Sequence, residues 1–120
     1  MSNLAENAFT RLATVTGVDM KTAAATTLYT GPAGKTTFIT HVVIRNPSAS
    51  LAGGTSYSFT GWRQAVDLSS LTTAVTDYLK LDCNNTKYTA LAAGAAFQIT
   101  VTTGSTGAAT ATIDVFGYQV

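Results

Sequence analysis

Apolar and polar residues alternate along most of this chain with a period of two. In Thr55–Trp62, Tyr57 and Phe59 fall on one side, against Ser56, Ser58 and Thr60 on the other. In Ala95–Thr103, Phe97, Ile99 and Val101 oppose Gln98, Thr100 and Thr102. Asp77–Cys83 repeats the pattern, with Leu79, Leu81 and Cys83 inward and Tyr78, Lys80 and Asp82 outward. Successive side chains of a strand point to opposite faces, so each run predicts a half-buried strand. Lys35–Asn46 is apolar on both faces: Phe38, Thr40, Val42 and Ile44 one way, Ile39, His41, Val43 and Arg45 the other. That pattern predicts a central strand or one lying against a partner. Shorter candidates are Phe9–Thr16 (ending at Gly17), Thr26–Thr30, Gln64–Leu71 and Lys87–Leu91; residues 18–24 read equally as a helical turn or an extended crossing.

Turn residues separate these runs: Gly31-Pro-Ala-Gly34, Asn46-Pro47 with the loop to Gly54, Asn84-Asn85, and Gly104–Gly107 as a hairpin loop. Proline presets φ in such turns and glycine supplies a positive one. The last run, Ala108–Val120, sets Ala109, Ala111, Ile113 and Val115 against Thr110, Thr112 and Asp114. Beyond Asp114 its polar face turns apolar, with Phe116, Tyr118 and Val120. This predicts cover from within the chain in the first instance, and a subunit interface otherwise. Many short strands at regular spacing without a linker predict one domain over residues 9–120. It is an all-β, antiparallel β-sandwich of about eight strands, a jelly roll being one such arrangement. Residues 1–8 form a polar N-terminal arm.

Composition narrows the function. Charged residues are 11% of the chain, under half the ~25% usual for soluble domains. Threonine (23) and alanine (19) dominate instead, which predicts a surface of hydroxyls and methyls. Seven Lys+Arg against six Asp+Glu, evenly spread, give a net charge of +1. Such a balance argues against nucleic-acid tracking and against attachment to an anionic membrane. No apolar run is long enough to span a bilayer, and MSNLAENAF lacks the basic start of a secretory signal. The single Cys83 allows no intramolecular disulfide, as expected of a chain made in a reducing cytoplasm.

Candidate chemistry is sparse. Gly31-Pro-Ala-Gly-Lys35-Thr36 lacks the spacing of a phosphate-binding loop and leads into a strand rather than a helix, so it reads as a hairpin turn. His41, the only histidine, sits mid-strand and reads as a hydrogen-bonded structural residue rather than a catalytic base. Asp19, Asp67, Asp77, Asp82 and Asp114 have no calcium-loop spacing, and one His with one Cys falls short of a zinc set. Asp77 and Asp82, five apart on one strand, face opposite sides and do not form a glycosidase pair. Cys83 reads as buried and inert. Trp62 reads either as core filler at the sandwich edge or, with Tyr57, as the platform of a lectin-like carbohydrate-binding module. No enzyme, cofactor, metal ligand or catalytic residue emerges.

The stretches Tyr29-Thr-Gly-Pro-Ala-Gly-Lys-Thr36 and Ile44-Arg-Asn-Pro-Ser-Ala-Ser-Leu-Ala-Gly-Gly-Thr55 resemble small virion proteins of tailed bacteriophages. Val66-Asp-Leu-Ser-Ser-Leu71, Asn85-Thr-Lys-Tyr88 and Ala111-Thr-Ile-Asp-Val-Phe-Gly-Tyr118 fit the same group. The motifs are turns and strands and carry over no contact residue. The resemblance implies a β-sandwich that joins the particle by protein–protein contact, foremost as a capsid decoration or cement protein. A neck, tail or fibre component is the alternative within that group. It implies location on the virion, after synthesis in the host cytoplasm. The implied partners are the major capsid protein or other virion proteins, with self-association as a dimer or trimer.

Overall fold

The computed structural model describes residues 10–62, 64–72, 78–82 and 89–120. The polar arm, Asp77, Cys83 and the Asn84-Asn85 turn lie outside the described residues. Eight strands follow in order: β1 (Thr10–Asp19), β2 (Ala25–Thr30), β3 (Thr37–Arg45), β4 (Ser56–Phe59), β5 (Tyr78–Asp82), β6 (Thr89–Leu91), β7 (Ala96–Thr103) and β8 (Thr110–Gln119). They form two antiparallel sheets, and the expected all-β sandwich is what the chain adopts. The larger sheet runs β1-β8-β3, and β5 and β6 share the far edge of β3. Eight strands therefore occupy seven lanes. The smaller sheet runs β2-β7-β4, and Val66 bridges Tyr57 on the outer side of β4.

Among the described residues no strand pairs with its neighbour in sequence. The chain changes sheet after every strand except β5. Two sequence expectations are corrected here. The Gly31–Gly34 turn is not a hairpin, because it carries the chain from β2 in one sheet to β3 in the other. Gly104–Gly107 likewise passes from β7 to β8 across the sandwich. Composition marks where a chain turns, but only long-range pairing decides which strand it then meets. The crossing at Gly104 is tight: Ser105 is buried, its amide donates to the Met20 carbonyl at 3.0 Å, and its hydroxyl donates to the Gly107 carbonyl at 2.7 Å.

The core lies between the sheets. Ile39, Val42, Ile44, Ile113 and Val115 from the larger sheet meet Leu28, Tyr57, Phe59, Phe97, Ile99 and Val101 from the smaller. The alternation read for β4 and β7 holds residue by residue. Leu79 and Leu81 pack against the same core, as predicted. In β3 the simple alternation fails. A bulge between Ile39 and His41 inserts Thr40, so Thr37 and Ile39 join Val42 and Ile44 on the core side. Phe38 and His41 go to the outer face with Val43 and Arg45. An extra residue shifts the phase of a strand, and periodicity alone does not show where it falls. A second departure is β1, which runs on to Asp19 through Gly17 (φ 68°) and carries two irregularities against β8.

Residues outside the eight strands also supply core: from the 18–24 stretch, from the loop after Asn46-Pro47, and from Gln64–Leu71, which is expected as a strand and forms only the isolated Val66 bridge. Met20, Leu51 and Leu68 are fully buried, and Leu71 nearly so. Tyr57 donates from its hydroxyl to the Met20 carbonyl at 2.7 Å, crossing from one sheet to the corner of the other. Burial pushes the Tyr57 pKa above its ordinary value, which keeps the donor neutral. β3 ends at Asn46, whose φ of 53° lies in the left-handed region that asparagine tolerates.

Gly117 in β8 is a packing requirement, since a Cβ there would fall on the Phe38 carbonyl. Gly107 faces open space. Thermal and urea unfolding should therefore separate Gly117→Ala, destabilised by at least ~2 kcal/mol, from Gly107→Ala, within about 0.5 kcal/mol of wild type.

Candidate interaction surface

The chemistry-bearing residues gather on the outer face of the larger sheet. β8 lies between β1 and β3, and its register sets the rows: Arg11–Phe116–His41, and Thr14–Asp114–Val43. Because the bulge turns Phe38 and His41 outward, four rings meet there. His41 stacks on Phe116 with centroids 4.5 Å apart and planes 6° from parallel. Phe38 stacks on Tyr118 at 5.2 Å. The four side chains are half-buried. Phe116 and Tyr118 are thus covered on one side by rings of the adjacent strand, which is the intrachain cover expected for the end of β8. Val120, just past the end of β8, is the exposed large apolar residue among those described.

His41 sits 3.0 Å from the Thr40 hydroxyl through Nδ1, and Thr40 also donates to the Phe116 carbonyl at 3.3 Å. It is a hydrogen-bonded strand residue, as the sequence suggested.

Beside the rings, Asp114 is clasped from both flanking strands. Arg45 donates through Nε to Oδ2 at 2.8 Å and, more weakly, through Nη2 to Oδ1 at 3.4 Å. Thr14 donates to Oδ1 at 2.7 Å. The sequence placed Asp114 on a wet face, yet it is 5% exposed. Burial alone would raise its pKa. The hydrogen bonds from Arg45 and Thr14, with the nearby charges of Arg45 and Arg11, outweigh burial and hold it below the ordinary carboxylate value. The bond from the carboxylate raises the Arg45 pKa in turn. The Arg45–Asp114 ion pair is closed on itself, while Arg11, in the row of Phe116 and His41, adds a further cation to this face.

The remaining candidates do not converge. Asp19 caps a turn, accepting from the amides of Lys21 (2.8 Å) and Thr22 (3.1 Å), and Asp67 does the same for Ser69 (2.8 Å). Both carboxyls are held below their ordinary value, Asp19 foremost by the Lys21 amide and Asp67 foremost by the Ser69 hydroxyl and then its amide. Asp82 ends β5 in register with His41. Among the described residues no group of three His, Cys, Asp or Glu is placed to hold a metal ion. Lys35 follows an exposed turn. Trp62 is 9% exposed and tilts onto Phe59 at 4.7 Å, while Tyr57 is fully buried. The carbohydrate platform predicted on these two residues is absent, because both rings fill the core. The ring cluster on the outer face was missed by sequence reasoning. Its signal was the apolar end of β8, and locating its partners needed the bulge.

A prediction follows from Asp114. Its folded pKa lies below the unfolded one, so its contribution to stability is complete above the unfolded value and lost as pH falls through the folded value. Asp114→Asn should cost roughly 1–2 kcal/mol at pH 7, the exposure of Arg45 keeping it modest. The gap to wild type should narrow toward pH 3 in urea unfolding series. The outer face must be interpreted from its own chemistry, for no family model, curated protein or solved structure matches the chain.

Proposed function

We propose that this chain is a structural protein of a bacteriophage virion, and within the particle a capsid decoration or cement protein bound by protein–protein contact. The observation that carries the reading is the outer face of the larger sheet. Phe38, His41, Phe116 and Tyr118 form a ring cluster there, beside an ion pair that is already neutralised. A contact at the rings removes apolar surface from water while the adjacent Arg45 and Asp114 charges stay paired with each other, which lessens the cost of stripping solvent from them. Interface cores are depleted in charge and enriched in aromatic residues for the same reason.

The strand order supports the reading. With β5 and β6 sharing the lane beyond β3, and the Val66 bridge taken as the start of a fourth lane beyond β4, the order β1-β8-β3 and β2-β7-β4 is compatible with a jelly roll. That arrangement recurs in viral shells, though fold alone does not assign a role. The threonine-rich surface adds hydroxyls that bridge to water and partner amides at a contact. A protein that binds only the assembled lattice stabilises it by mass action, and many symmetry-related copies add avidity.

Quantitative mass spectrometry of purified phage particles tests this. Decoration requires copies in stoichiometry with the shell protein. A handful of copies per particle would move the protein to the neck, tail or fibre, and absence from the particle would end the virion reading altogether. Phe116→Ala is expected to lower occupancy on undecorated shells while leaving the far-ultraviolet circular dichroism spectrum of the free protein unchanged.

A further inference from the structure

The two sheets end differently on their two sides. Beyond β4, the segment from Gln64 to Leu71 covers the edge: Val66 and Tyr57 exchange backbone hydrogen bonds at 2.8 and 3.0 Å. On the opposite side, among the described residues, β1 pairs with β8 alone. This edge is ten residues long, contains no proline and no lysine, and is exposed along most of its length. An unpaired edge of this length presents a row of amides and carbonyls; proteins blunt such edges with proline, charged side chains, bulges or cover, and β1 carries two bulges with Arg11 and Asp19 near its ends.

We propose that the edge is a homodimer interface, in which β1 of one copy pairs antiparallel with β1 of a second copy about a two-fold axis at Val15. The charges of β1 point to this occupant. Measured on the register with β8, Val15 stands opposite Ile113, Arg11 opposite Phe116 and Asp19 opposite Thr110. Arg11 and Asp19 are thus three ladder positions to either side of Val15, and both lie on the outer face. A two-fold at Val15 brings Arg11 of each copy beside Asp19 of the other. The same operation sets Ala13 beside Val18 on the core face. It also sets Thr14 beside the bulged Thr16-Gly17 pair on the outer face. Every pair matches in facing, as antiparallel neighbours must. By residue count Arg11 and Asp19 are already equidistant from Val15, four on either side; the bulges in β1 make the spacing three ladder positions and so move both to the outer face. Asp19 is already oriented by the Lys21 and Thr22 amides through Oδ1, which fixes its carboxylate at the end of the edge where the facing Arg11 would lie. A closed two-fold contact consumes both free edges and stops at two copies.

The inference does not rest on the virion role, and particle copy number has no bearing on it. Sedimentation velocity of the full chain over a concentration series should show a monomer–dimer equilibrium. Arg11→Asp places like charges together twice per dimer and should weaken it about tenfold or more. Arg11→Asp with Asp19→Arg should restore most of the loss. Because Asp19 also caps a turn, a second variant keeps the test independent. Val15→Cys in a Cys83→Ser background should form a disulfide-linked dimer on mild oxidation, since residues facing each other on the axis come within bridging distance. Thr10→Cys in that background should not. A protein that stays monomeric at several hundred micromolar overturns the proposal. So does a dimer that ignores Arg11→Asp but is lost in Phe116→Ala, which would put the contact on the ring cluster. Self-association appearing only after removal of residues 1–9 also overturns it, because the edge would then belong to the chain's own N-terminal segment.

Discussion

The apolar layer between the two sheets is the interaction on which the rest of the molecule depends. Each sheet buries one face there, and the chain contributes to it from both sides in turn because it changes sheet after almost every strand. Among the described residues no local hairpin holds a part of the fold by itself. Backbone ladders gain only a modest net free energy when they replace hydrogen bonds to water, so the layer of Ile, Val, Leu, Phe and Tyr side chains supplies the drive. The Tyr57 hydroxyl on the Met20 carbonyl is the polar counterpart of that layer, tying one sheet to the corner of the other.

β8 transmits this arrangement to the outside. Its core side carries Ala111, Ile113 and Val115, and its outer side carries Asp114, Phe116 and Tyr118. The flanking strands complete each outer residue: Thr14 and Arg45 for Asp114, His41 for Phe116, Phe38 for Tyr118. The outer surface is therefore assembled from three strands that are distant in sequence. It sets a charge pair closed on itself beside two pairs of stacked rings.

Much of the fold was legible because side-chain alternation reports burial directly. Tyr57 and Phe59, then Phe97, Ile99 and Val101, were read correctly since nothing interrupts their period of two. Reading failed where a strand carries an extra residue. Thr40 reverses the facing of Phe38 and Ile39 relative to Val42, and Gly17 extends β1 where a glycine suggested a stop. It failed again where apolar residues lie outside strands, as with Met20, Leu51 and Leu68, which have no period to reveal them. Sheet membership was out of reach, since a glycine-rich turn looks alike whether it closes a hairpin or crosses between sheets. The ring cluster inherits all three difficulties, for it needs the bulge, the register and the pairing at once.

The position of β8 between β1 and β3 has a consequence for biosynthesis. The ribosome makes this strand after the other seven, yet it occupies the middle of the larger sheet. Until it leaves the exit tunnel, β1 has no partner and β3 offers one side to whatever is near. The nascent chain thus passes through a stage with several unsatisfied ladders, which favours association with other nascent chains or with a chaperone. Completion comes late and all together, by insertion of a single segment, so cellular yield is set by the interval between translation and that insertion as much as by the final free energy.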